Sequence, residues 1–230
     1  MYKLIVFDLD DTLAPSGKRA DSGVTEKLRK FEQRGIVTAI ASGKSTFYLC
    51  GFARAAGLYD SVLIGENGAV TVFGVKLPPK KAYKLPVTQD AIGELEYLKR
   101  EIVRELPSVW FQPNEVMLTP FPVGDREFDI IQNIIDSNSD RLNHIQIVRH
   151  HDTFDFFPKS VSKSGALRLL GETLNIPPEE MIAVGNGEND YPMFDYAGLS
   201  VGVNVPDESR AAVNFNTISD AVDYIAELVK

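Results

Sequence analysis

Leu4-Ile5-Val6-Phe7-Asp8-Leu9-Asp10-Asp11-Thr12 runs from consecutive apolar residues straight into a turn-prone acidic segment. An aliphatic run this short reads as a buried strand of a parallel sheet. Residues leaving the carboxyl end of such a strand line the crevice where open α/β sheets bind ligands. Asp8 and Asp10 would crowd two like charges there, which costs free energy unless a cation or a shared proton compensates. The pair points to a divalent metal, to covalent chemistry, or to both. The bland alternative is an acidic turn after a strand, for which Asp is an ordinary residue.

Outward from that stretch the pattern alternates. Val24 to Arg34 reads as helix, Ile36 to Ala41 as strand, Ser45 to Ala56 as helix and Ser61 to Ile64 as strand, with Gly35 and Gly57 placed as helix C-caps. The same rhythm returns late in the chain: Ser164 to Leu174 helical, Met181 to Val184 apolar, Asp190 to Ala197 helical, Leu199 to Val203 apolar, Ile218 to Leu228 helical. Between the two stretches the character changes. Val70 to Lys76 reads as a hairpin strand, and Leu77-Pro78-Pro79-Lys80-Lys81 breaks regular structure with prolines and charge. A helix around Asp90 to Leu106, strands at Val109 to Gln112 and Val116 to Phe121, a helix around Arg126 to Asp136, and strands near Ile145 to Arg149 and Thr153 to Phe157 follow. That αββαββ order is expected of a small α+β module. The expected architecture is an α/β parallel-sheet core with helices on both faces, from 1–80 and 158–230. An α+β cap, 81–157, is inserted over its carboxyl-end crevice and can hinge at its two crossings.

At 230 residues the chain can bury a sizeable core. Its hydrophobic content of 44% and charged content of 24% are those of a soluble globular protein, and no apolar run approaches the length of a membrane span. The net charge of -8 argues against nucleic acid as a partner and requires that any phosphate site be locally cationic. The amino terminus is not expected to be a secretory signal, because Asp8 and Asp10 interrupt its apolar stretch. The single cysteine, Cys50, fits a cytoplasmic protein without disulfides and is expected to be buried in a helix.

Three further segments echo the first. Ser42-Gly43-Lys44 follows the second apolar strand and offers a hydroxyl and open amides suited to phosphate oxygens, or simply a helix cap. Lys163 lies just before a predicted helix in Val161-Ser162-Lys163-Ser164-Gly165, where a lysine is ordinarily a solvated charge. Gly185-Asn186-Gly187-Glu188-Asn189-Asp190 follows the strand Ile182-Ala183-Val184. Each alone has an ordinary explanation as a turn. Jointly, the strands before Asp8, Ser42 and Asn186 would deliver their turns to one edge of one sheet.

In order and spacing these four segments resemble the motifs of the haloacid dehalogenase-like hydrolases. Glu66-Asn67-Gly68-Ala69, the αββαββ insert and Phe154-Asp155-Phe156-Phe157 look like the Cof-type branch of sugar-phosphate, sucrose-phosphate and phosphoglycolate phosphatases. The resemblance implies a Mg²⁺-dependent phosphatase acting on a small phosphate monoester, either a sugar phosphate or a phosphoglycolate-like acid. In that scheme Asp8 attacks phosphorus to form an aspartyl phosphate, and Asp10 protonates the leaving oxygen and later activates water. Ser42, Gly43 and Lys163 bind the phosphoryl oxygens. Asp8, Asp10, Asn186 and Asp190 surround Mg²⁺, with Thr12, Lys44, Asn67 and Asn189 in support. One departure matters: Asn186 stands where the family usually has Asp, so a carboxylate facing the metal becomes a neutral amide and metal binding is expected to weaken. A phosphomutase of the phosphomannomutase type and a catalytically weakened phospho-ligand-binding protein are the alternatives.

The insert should choose the leaving group, with Trp110, Phe111, Gln112, Asn114 and Arg126 as candidate contacts. His144, His150 and His151 lack the spacing of a zinc site and are expected at the surface. Neither the substrate nor the oligomeric state follows from the sequence.

Overall fold

The computed structural model describes residues 1–76 and 78–230. Leu77, which opens the expected proline-rich break, lies outside the described residues. The first strand, β1 (Leu4–Asp8), is buried along its whole length. It is followed by α1 (Ser22–Gln33), β2 (Val37–Ala41), α2 (Thr46–Ala56) and β3 (Val62–Gly65). Asp21 starts α1 by accepting from the N–H groups of Gly23 and Val24. Gly57 ends α2 in the left-handed region at φ 74°.

Two antiparallel strands, β4 (Val70–Phe73) and β5 (Ala82–Lys84), extend one edge of the sheet. The cap was expected to begin at 81. By its pairing with β4, however, Ala82–Lys84 is an edge strand of the core sheet. The insert then comprises α3 (Gln89–Glu105), β6 (Trp110–Phe111), β7 (Pro120–Phe121), α4 (Gly124–Ser137), β8 (Ile145–Arg149) and β9 (Phe154–Pro158). The chain returns to the core through α5 (Lys163–Leu174), β10 (Met181–Gly185), α6 (Tyr191–Tyr196), β11 (Leu199–Val203), β12 (Val213–Phe215) and α7 (Ile218–Leu228).

The central sheet has the order β12-β11-β10-β1-β2-β3-β4-β5, with β1 parallel to both β2 and β10. Alternation along β1 explains the two layers of helices. Ile5 and Phe7 pack with Val24, Leu28 and Phe31 of α1, with α2 and with α7. Leu4 and Val6 point the other way, onto Ala166, Leu167 and Leu170 of α5 and onto Met193 and Phe194 of α6. Cys50 is buried in the first of these layers.

The insert has its own core, in which Leu98, Ile102, Ile131, Phe154 and Phe156 meet between its two helices and its strands. Its strand pairs, β6 with β7 and β8 with β9, are joined by mutual Leu118–Phe156 backbone bonds of 2.9 and 3.0 Å. β6 and β7 are shorter than the expected strands. The N–H groups of Glu115, Val116 and Met117 all donate to the Glu66 carboxylate at 2.8–3.0 Å, so they are not available for a strand partner. Among the described residues no helix is long and apolar enough to cross a membrane.

Candidate active site

Parallel register brings the expected segments to one edge. Asp8 pairs with Ala41, the residue before Ser42, and Phe7 pairs with Val184, two residues before Asn186. Past Asp8 the chain turns sharply. Ala14 N–H donates to the Leu9 carbonyl at 3.0 Å, and Asp11 adopts φ 59°. This tucks Leu9 and Leu13 into the core and leaves Asp10 half-exposed toward the crevice. The Thr12 hydroxyl is buried without a hydrogen-bond partner of ordinary geometry.

Lys163, the first residue of α5, is one of the most buried polar side chains, 3% exposed. A cation at a helix N-terminus opposes the helix dipole. Two carboxylates outweigh that: Nζ donates to Asp8 Oδ1 at 2.6 Å and to Asp190 Oδ1 at 2.7 Å. Burial alone would lower the Lys163 pKa, but Asp190 and Asp8 together raise it, keeping the ammonium charged. Burial, reinforced by the Asp190 charge and only partly offset by Lys163, pushes Asp8 up to about 7.

Two glycines permit this closeness. A Cβ on Gly68 would sit 2.2 Å from the Ser162 carbonyl oxygen that precedes Lys163. A Cβ on Gly185 would sit 2.5 Å from Asp190 Oδ2.

Asp190 was expected among the metal ligands. Its Oδ1 is held by Lys163, and Oδ2 accepts from the N–H groups of Asn186 and Gly187 at 3.0 and 3.3 Å. Both oxygens thus serve to fix Lys163 and the fourth turn.

Above this floor lies a cavity of about 310 Å³. From the core it is lined by Asp8, Asp10, Ser42, Gly43, Lys44, Asn67, Asn186 and Asn189. Ser42 Oγ lies 3.4 Å from Asp10 Oδ2 and accepts from Lys44 N–H at 3.1 Å, and Lys44 Nζ stands 3.8 Å from Asp10 Oδ2. Lys163, Asp190 and Thr12 lie beneath this lining rather than in it.

The insert forms the roof. Gln112 lines the cavity and donates to the Gly43 carbonyl at 3.0 Å, and Asn114 reaches Gln112 and Thr119. Of the other candidate contacts, Trp110 is more than half exposed against the Phe121 ring, and Phe111 and Arg126 do not line the cavity.

Asp155, Thr119 and His150 went unassigned in the sequence, yet they form the centre of the roof. Asp155 Oδ1 accepts from the Thr119 hydroxyl at 2.9 Å. Its Oδ2 accepts from Asn67 Nδ2 at 3.2 Å and lies 3.3 Å from His150 Nε2. A lone Asp inside the apolar run Phe154-Asp155-Phe156-Phe157 was the available signal, because a buried carboxylate requires partners. His150 gave no such signal. It was expected at the surface with His144 and His151; it is half-buried, and its bond to Asp155 raises its pKa against the opposing effect of burial. His151 is exposed, and His144 pairs with Glu94 at 2.6 Å.

Among the described residues no three His, Cys, Asp or Glu side chains gather as a metal cage. The donor set here fits a hard cation that keeps several waters: the Asp8 carboxylate, Asp10, and the amide oxygen of Asn186 beside them.

A doubly wound, mostly parallel sheet with paired aspartates at a strand end, a lysine clamped beneath and an α+β roof above is the architecture of a capped enzyme of the α/β class. The chain belongs to the haloacid dehalogenase-like hydrolases, whose family model matches residues 5–95 and 112–228. Among its relatives, a phosphoglycolate phosphatase of Methanoculleus marisnigri is 29% identical over 100% of this chain and 96% of its own length. Another from Methanopyrus kandleri is 26% identical over 96% of this chain and 90% of its own. The fold is also that of a haloacid dehalogenase-like hydrolase from Bacteroides thetaiotaomicron. That structure has TM-score 0.82 at 21% identity, with 98% of this chain and 100% of the other covered. A sugar phosphatase of subclass IIB has TM-score 0.72 at 18% identity, with 97% and 99% covered.

Proposed function

We propose that this enzyme is a Mg²⁺-dependent phosphatase that hydrolyses a small phosphate monoester, a sugar phosphate or a phosphoglycolate-like acid, through an aspartyl phosphate. The observation that carries this reading is the ion pair of 2.6 Å between Lys163 and Asp8 at the cavity floor, with Asp10 beside it. Lys163 holds the Asp8 carboxylate in place and supplies positive charge beneath a transferring phosphoryl group.

An Asp8 oxygen attacks phosphorus as the ester P–O bond breaks, and Asp10 gives its proton to the departing oxygen. Water then attacks the phosphorus of the aspartyl phosphate, Asp10 takes the proton, and the bond to Asp8 breaks to release inorganic phosphate. The Ser42 hydroxyl and the Gly43 N–H hold phosphoryl oxygens at the entrance of α2, where the Lys44 N–H donates to Ser42 Oγ and fixes that hydroxyl. Mg²⁺, held by the Asp8 carboxylate, the Asp10 backbone carbonyl and Asn186, would neutralise charge on the phosphoryl oxygens. In this scheme Asp190 positions Lys163, and the insert, with Ala82–Lys84 left to the core sheet, excludes water and selects the leaving group.

The test is phosphate release from a panel of small monoesters with Mg²⁺, comparing the wild type with Asp8→Asn. Turnover that collapses in Asp8→Asn supports the reading; full turnover in that variant would overturn it. Ester binding without phosphate release at saturating Mg²⁺ would instead favour a weakened phospho-ligand-binding protein, the reading that the Asn186 amide motivates.

A further inference from the structure

The roof of the cavity carries a histidine that the scheme above does not use. His150 lies in the turn between β8 and β9, half-buried, with Nε2 3.3 Å from Asp155 Oδ2. Asp155 cannot swing freely, because Thr119 holds one of its oxygens and Asn67 of the core the other. Asp155 therefore offers the imidazole a positioned partner at Nε2, and Nδ1 is the ring nitrogen left to serve a ligand.

A second cation lines the same cavity from the core side. Lys44 stands 3.8 Å from Asp10 Oδ2. Its charge and that of a protonated His150 oppose each other, an effect that depresses the His150 pKa without cancelling the rise caused by Asp155. Lys44 and His150 each already face one carboxylate, Asp10 and Asp155, yet their like charges still repel across the small cavity, so an anion that reaches both gains from each of them. The other charged groups around His150 are Asp152 in its own turn, which favours the imidazolium, His151 beside it, and Arg149 and Asp125 behind the hairpin.

We propose that His150 and Lys44 seat a carboxylate on the leaving group, so that the substrate is the phosphate ester of a small hydroxy acid rather than of a neutral alcohol or sugar. This deepens the phosphatase reading and rests on it, since the phosphoryl group must occupy the Asp8 end to place the leaving group under the roof. The cavity, about 310 Å³, is at the small end of the range for ligand sites and suits a compact acid.

The experiment compares 2-phosphoglycolate with 2-hydroxyethyl phosphate, esters of equal length that differ by one negative charge, on the Mg²⁺-loaded full chain. The ratio of their kcat/KM values is the readout. In the wild type the acid should be preferred about tenfold or more, the size of one charge-assisted contact. His150→Gln should collapse that ratio, and His150→Arg, which keeps a charge, should restore most of it. The wild-type preference should shrink between about pH 6 and about pH 9 as the imidazolium loses its proton, while that of His150→Arg should not.

A wild-type ratio near one, or a ratio unchanged in His150→Gln, overturns the proposal even if both esters are hydrolysed. Release of phosphate from sugar phosphates alone would do the same while leaving the phosphatase reading intact. If no ester is hydrolysed, that reading fails. Calorimetric titration with the two esters then still decides the carboxylate seat, because equal affinities overturn it.

Discussion

Asp190 Oδ1 lies 2.7 Å from Lys163 Nζ, both side chains essentially sealed from solvent, while Asp190 Oδ2 accepts from the backbone of Asn186 and Gly187. The carboxylate thus ties the start of α5 to the turn after β10. Asp190→Asn would remove its charge and aim an amide N–H₂ at groups that are themselves donors, whichever way the amide turns. The expected loss is about 3–5 kcal/mol of stability, the usual cost of breaking a buried ion pair on one side. Phosphate release should also fall, at temperatures where the variant remains folded. Denaturant unfolding checks the first figure, and a wild-type midpoint would contradict the assignment.

Glu66 is fully buried, and its two oxygens take three N–H groups from the 115–117 segment of the insert. It acts as a latch between the core and the roof. Glu66→Ala should cost about 3 kcal/mol or more, because three buried donors lose a charged acceptor. The KM should rise as the roof loosens. Amide hydrogen exchange at 115–117 reads the latch directly, and protection equal to wild type in the variant would rule it out.

Asn186 brings a neutral amide to the cavity beside Asp8 and Asp10. Asn186→Asp should tighten Mg²⁺ about tenfold, or about 1.4 kcal/mol, by adding one anionic ligand to a hard cation. Isothermal titration with Mg²⁺ makes the comparison. Equal or weaker binding in the variant would place that side chain away from the ion.

The Asp8 pKa, pushed up to about 7 by burial and the Asp190 charge, gives the protein a pH dependence. The unfolded value is about 3.9. Between the two, the native chain keeps a proton that the unfolded chain has released, so this contribution to stability is complete at low pH. It is lost as pH rises through the folded value. Thermal melts without metal should therefore show falling stability from about pH 5 to about pH 8. Mg²⁺ competes with that proton, so its stabilising effect should be larger at about pH 8 than at about pH 6. Identical Mg²⁺-induced shifts at both values would count against Asp8 as a ligand.

The core was legible because its signals are local. Unbroken runs such as Leu4-Ile5-Val6-Phe7 and Met181-Ile182-Ala183-Val184 fit strands covered on both faces, and each is buried throughout. Residues 82–84 fall within the expected insert because three residues after two prolines carry too little pattern to show a strand, and only the pairing of Ala82–Lys84 with Val70–Phe73 assigns them to the sheet. Val116 and Met117 read as the start of a strand, but Glu66, some fifty positions earlier, takes their N–H groups. His150 was misread for a related reason. Nothing beside it in the chain distinguishes it from His151, and its burial depends on Asp155 and on the core beneath.

The amino-acid order by itself determined which strand ends would carry Asp8, Ser42 and Asn186, since a period of two or an unbroken apolar run is written into consecutive residues. The tertiary structure alone decided which carboxylates remain open to the cavity. Lys163 claims Asp190 and one oxygen of Asp8, Thr119 and Asn67 claim Asp155, and Asp10 is left facing the crevice. A charged group's role is set by its nearest partners and its distance from water, and neither exists until segments far apart in sequence have packed together.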